Sequence, residues 1–253
     1  MKKVIGLLLC ALIVLSIFAI ADAGDKEFDK LKKKLVTAVT AKDNDAIKDA
    51  LVDVLVHGGE DAVKLIVMIL EKIPKNEDVI YWQLVKGACT VTDRDAMTAL
   101  AEAIVSHRKD ALARDLLFAL QNNRCRNVAI VHQAVIERCG YDMQKMAIES
   151  LVNMEDEVAV DALIASLRKI KDRDVKAEVI EALRMLTRAD CGNSAEDWEK
   201  WWQVSRAQGL GLGEKKGAQG GTGTVVDDLE RYRRDKMFGG ENVKLKALVI
   251  TDY

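Results

Sequence analysis

The side chains that could do chemistry are few and far apart. Cys89, Cys125, Cys139 and Cys191 are spread through the middle of the chain, and Cys10 sits in an apolar run near its start. Four cysteines in an exported chain invite disulfides. Cys125 and Cys139 bracket one expected helix, which puts their Cα atoms about 20 Å apart at 1.5 Å rise per residue, beyond disulfide reach. Cys89 and Cys125 fall near the C-terminal ends of the first helices of adjacent repeats, on one edge, and are the best candidate pair. Against that bond, Cys89 stands where the neighbouring units carry leucine, so it also reads as a small buried hydrophobe. No Cys-x-x-Cys and no close Cys–His spacing supports thiol redox catalysis or a zinc site.

His57, His107 and His132 lie in different segments without ligand spacing and read as helix-end or surface residues. Carboxylates are abundant, but they recur as i,i+4 partners of Lys and Arg. The sequence contains no nucleophile elbow and no triad order. The glycines at 209, 211, 213, 217, 220, 221 and 223 could be mistaken for a phosphate-cradling loop. No strand precedes them and no Gly-Lys-Ser/Thr follows, so 209–224 reads as a flexible linker. No catalytic residue, metal or cofactor is assigned.

The N-terminus reads as an export signal. Lys2 and Lys3 precede an apolar stretch from Val4 to Ile20, and Ala21-Asp22-Ala23 supplies small residues for cleavage after Ala23. The rival is an uncleaved anchor, but the run is somewhat shorter than the roughly 20 residues of a spanning helix. The expectation is a signal peptide at 1–23, a periplasmic or extracellular bacterial location, and no stable membrane insertion after cleavage. The formal net charge of -2 comes from interleaved acids and bases. That pattern argues against nucleic acid and against a polybasic membrane patch.

The elements that carry these residues show a repeating register. Gly87-Ala88-Cys89, Phe118-Ala119-Leu120, Glu149-Ser150-Leu151 and Glu181-Ala182-Leu183 place a small residue before a core-type residue at intervals of 31, 31 and 32. Such a period means stacked supersecondary units. Apolar spacing predicts helices over 26–41, 44–56, 60–73, 77–89, 94–107, 110–121, 127–138, 142–154, 156–170, 173–188 and 195–207. Short linkers make neighbours antiparallel. The fold class is therefore all-α, an α-solenoid of stacked helix pairs over 24–208. The linker at 209–224 follows, then a short tail at 225–253 that reads as a charged helix from Val225 to Lys236 and a strand from Val243 to Thr251.

The stretch from Glu157 to Leu167, the turn Lys171-Asp172-Arg173, then Asp174-Val175-Lys176 and Val179-Ile180-Glu181-Ala182-Leu183 resembles a HEAT repeat of the short bacterial type. The match is best over 142–188 and weakens toward 26–73. The resemblance implies protein binding or scaffolding on a face lined by the second helix of each pair. By helical phase, Lys64, Glu71, Glu102, Gln133, Glu137, Asp161 and Arg168 should point outward there. Some relatives act on bilin chromophores, which leaves a bilin-lyase-like or thiol enzyme as an alternative.

Trp198, Trp201 and Trp202 share one face of the last helix and read as a cap that stops further stacking, with an aromatic ligand platform as the rival. The segment from Asp190 to Trp202 resembles the W-x-x-W-W tail of secreted bacterial HEAT proteins. In the tail, Ala247-Leu248-Val249-Ile250-Thr251-Asp252 resembles the first strand of a von Willebrand factor A domain. That makes a truncated adhesion or sensing protein a further alternative. The expectation carried forward is a non-catalytic scaffold or adaptor with a protein partner of unknown identity.

Overall fold

The computed structural model describes residues 26–73, 78–106, 110–121, 123–208 and 212. All fall in the first of two units of the chain, Met1–Gly213. The signal at 1–23, His107, the tail at 225–253 and the linker at 209–224, apart from Leu212, lie outside the described residues.

Ten helices and no strand are found among the described residues. They are α1 (Lys26–Ala41), α2 (Asn44–Leu70), α3 (Asp78–Ala88), α4 (Arg94–Ser106), α5 (Asp110–Leu120), α6 (Val128–Arg138), α7 (Tyr141–Met154), α8 (Glu157–Lys169), α9 (Arg173–Thr187) and α10 (Ala195–Ala207). None is long and apolar enough to cross a membrane. Two expected helices, 44–56 and 60–73, are joined as α2 across a kink at Gly59, whose φ of 36° and ψ of -113° are non-helical. Only glycine enters such backbone readily, which is why the chain bends there.

Aspartates start several of these helices. The carboxylate of Asp43 accepts from the Ala46 N–H at 3.1 Å, Asp93 from Ala96 at 2.8 Å, Asp156 from Val158 at 2.9 Å and Asp172 from Asp174 at 2.8 Å. Each satisfies an amide that the first helical turn leaves without a carbonyl.

The helices pack in two rows. Along one, α3 meets α5, α5 meets α7, and α7 meets α9; along the other, α2 meets α4, α4 meets α6, α6 meets α8, and α8 meets α10. Contacts such as α6 with α7 and α8 with α9 join the rows. This packing is that of a helical repeat, and the register seen in the sequence lies in the first row. Ala88, Ser150 and Ala182 are buried there, Ala119 is half-buried, and the following Cys89, Leu120, Leu151 and Leu183 are 5% exposed or less.

Polar side chains tie successive units. The Tyr81 hydroxyl donates to Asp115 at 2.7 Å, linking α3 to α5, and Arg114 pairs with Asp142 at 2.9 Å, linking α5 to α7. Asn123 donates to the Cys89 carbonyl at 2.8 Å and the Val91 carbonyl at 3.1 Å, while its own oxygen accepts from the Cys125 N–H.

The Cys89–Cys125 bond weighed from the sequence is not formed. The Cys89 thiol donates to the Leu116 carbonyl at 3.4 Å and the Cys125 thiol to the Thr92 carbonyl at 3.1 Å. Asn123 does the stapling between these two loops instead.

Candidate functional site

Six of the seven charged or polar residues expected on the recognition face sit on the second row, on α2, α4, α6 and α8, and the seventh, Glu71, caps the C-terminus of α2. Lys64, Glu71 and Glu102 line a groove of about 510 Å³ between α2 and α4. Its floor is Val67, Met68, Ala99 and Ala103, and its rim adds Glu60, Asp95, Thr98 and Ser106. Helical geometry explains the grouping. Residues 60, 64, 67 and 68 fall on one stripe of α2, which the cap residue Glu71 continues, and 95, 98, 99, 102, 103 and 106 on one stripe of α4. Ala99 and Ala103, one turn apart on α4, leave the groove open because neither has bulk to fill it.

The groove is acidic. Its described lining residues include four carboxylates, Glu60, Glu71, Asp95 and Glu102, against one amine, Lys64. Lys64 is held by Glu60 one turn away in its own helix, and that carboxylate raises the pKa of the lysine through their hydrogen bond. Asp95 makes no ion pair with a described residue.

Further along the row, cations cross from one helix to the next. Arg138 of α6 meets Glu102 of α4 at 2.6 Å, and Lys169, which ends α8, meets Glu137 of α6 at 2.8 Å. Arg168 of α8 meets Glu199 of α10, and Arg206 of α10 meets Asp161 of α8. Glu137 does not project freely as expected. Its side chain is only 11% exposed, held by Lys169 and by the Gln133 amide, which donates at 2.8 Å.

Asp161 and Arg168 line a smaller hollow of about 200 Å³ with Glu199, Trp202 and Arg206. There the Trp202 indole donates to Asp161 at 2.8 Å, and the Arg206 guanidinium lies 4.9 Å above the Trp202 ring. The three tryptophans do not act alike. Trp198 is fully buried, with its indole N–H on the Gly192 carbonyl at 3.0 Å, and Trp202 is 3% exposed, whereas Trp201 is half-buried.

No family model, curated protein or solved structure matches the chain. The geometry alone must therefore carry the functional reading.

Groups with reactive potential are placed for packing. Cys89 is buried, and burial pushes its thiol up to about 12, so it stays protonated at neutral pH. His132 corrects the surface expectation for the histidines. It is 1% exposed within α6, burial lowers its pKa to about 4, and its Nδ1 has no protein partner. It is neutral under ordinary conditions. His57 is exposed and stacks on Phe28, with ring centroids 5.9 Å apart. Among the described residues no cluster of three His, Cys, Asp or Glu side chains is placed to hold a metal ion.

Sequence reasoning missed the floor of the groove, Val67, Met68, Ala99 and Ala103, and the acids Glu60 and Asp95. The small pair Ala99 and Ala103, sharing a polar stripe with Asp95 and Glu102, was the signal that could have found it.

Proposed function

We propose that this chain is a HEAT-type α-solenoid of the bacterial cell envelope that holds a protein partner on its second helix row and catalyses nothing. The α2–α4 groove carries the reading. It is an open trough with an apolar floor and a polar rim, which suits a docked segment of another protein better than a small substrate needing a closed, dry pocket. The inter-helix ion pairs support it as well. They join α4 to α6, α6 to α8 and α8 to α10, so the row that continues from the groove is held in register and ordering costs there on binding are small. The protonated Cys89 and neutral, buried His132 weigh against a thiol enzyme.

The test is cross-linking capture from native envelope extract with the full mature chain and with Ala103→Trp, which fills the trough. The proposal expects one stoichiometric partner with the native chain and its loss with the variant. Equal capture by both, or by neither, removes the groove from the function.

A further inference from the structure

We propose that the element seated in the α2–α4 groove is a basic amphipathic helix of the partner protein. This rests on the scaffold reading above and names the chemistry of its ligand. The thirteen residues of α4 span about 20 Å, which accommodates roughly three turns of a guest helix laid along it. A guest's apolar stripe meets Val67, Met68, Ala99 and Ala103 on the floor. Its two polar flanks then face Glu60 and Glu71 on one wall and Asp95 and Glu102 on the other. Helix-in-groove recognition uses this division, with spaced apolar anchors below and charged flanks above.

The sign of the flanks follows from how charge is distributed along the row. At the α4–α6, α6–α8 and α8–α10 steps a lysine or arginine of one helix meets a carboxylate of the other. In the groove Lys64 is engaged by Glu60 on the same helix and Glu102 by Arg138 of α6, whereas Asp95 has no described cation. A guest carrying Lys or Arg supplies positive charge to a site where carboxylates outnumber amines. A guest with acidic flanks meets like charge at Asp95, so the groove selects as well as binds. Nucleic acid, being polyanionic, is rejected on the same ground.

The test uses the full mature chain and fluorescence anisotropy with two labelled 18-residue helical peptides. They share one leucine stripe; one carries Lys on its flanks and the other Glu. The basic peptide is expected to bind at least about tenfold tighter than the acidic one at low ionic strength. It should lose about tenfold on raising salt from roughly 50 to 500 mM. Asp95→Lys should weaken it by about tenfold, whereas Asp29→Lys, an exposed change on α1, should leave it unchanged, both variants keeping the native circular dichroism. Equal binding of the two peptides, or failure of the basic one to bind, overturns the basic-helix assignment. If capture from envelope extract is still lost in Ala103→Trp, the scaffold reading survives that failure. If capture is indifferent to Ala103→Trp, both fall together.

Discussion

At the scale of single residues, the core of the second row holds polar groups that neither pair nor react. His132 is the clearest, with its pKa lowered to about 4 by complete burial. The sign of its effect follows from linkage. An unfolded histidine takes up a proton near pH 6.5, while the folded one resists until about pH 4. Its contribution is therefore fully present above pH 6.5, falls through that window, and is flat below it. A shift of this size corresponds to about 3 kcal/mol. Urea unfolding at a series of pH values should show that loss, and His132→Leu should flatten the slope between pH 6.5 and 4. An unchanged slope would mean that His132 is hydrated in the folded state.

Ser166, fully buried with an unpartnered Oγ, gives the converse case. Ser166→Ala should be neutral or raise the unfolding midpoint, because it removes a desolvated hydroxyl that gains nothing on folding. Neither role was legible in the sequence. A histidine or serine inside an apolar stripe looks the same whether its ring or hydroxyl faces a neighbour or water, and only the packed second row decides that.

At the scale of elements, helix starts were legible because their chemistry is local. Asp93 and Asp172 stand just before apolar-periodic runs, and a carboxylate there has amides to accept from whatever the tertiary context. The Gly59 bend was legible for the same reason. Gly59→Ala meets little steric obstruction, Asp93 Oδ1 being 3.7 Å from the added Cβ, so its cost should come from the backbone alone. A loss of roughly 1–3 kcal/mol is expected by chemical denaturation. No loss would mean that the kink relaxes into continuous helix.

The cap was only half legible. The i, i+3, i+4 spacing put three indoles on one face, yet Trp201 is left half-buried, its ring against those of Trp198 and Trp202, while those two are buried. Trp202→Ala should cost about 3–5 kcal/mol and lower hydrogen-exchange protection first in α8 and α10, since it also takes the indole donor from Asp161. Trp201→Ala should cost clearly less. Equal losses from the two would contradict this division of labour.

At the scale of the whole described unit, the proposed function rests on which row carries an open, charged trough. The period of 31 to 32 residues made the stacking legible, because it needs only the recurrence of small and large residues at 88, 119, 150 and 182. The groove was less so. It depends on two helices separated by α3 in the chain presenting complementary stripes, a relation that no single segment displays. The first row offers a rival surface in Phe118, which is 57% exposed on α5.

The direct measurement is therefore photo-cross-linking in intact cells, with the reactive group placed at Met68 in the groove or at Phe118 on the opposite row. A discrete protein adduct from Met68, absent from Phe118 and abolished by Ala103→Trp, is the result this account predicts. An adduct from Phe118 alone, or one at Met68 that survives filling the trough, would contradict it.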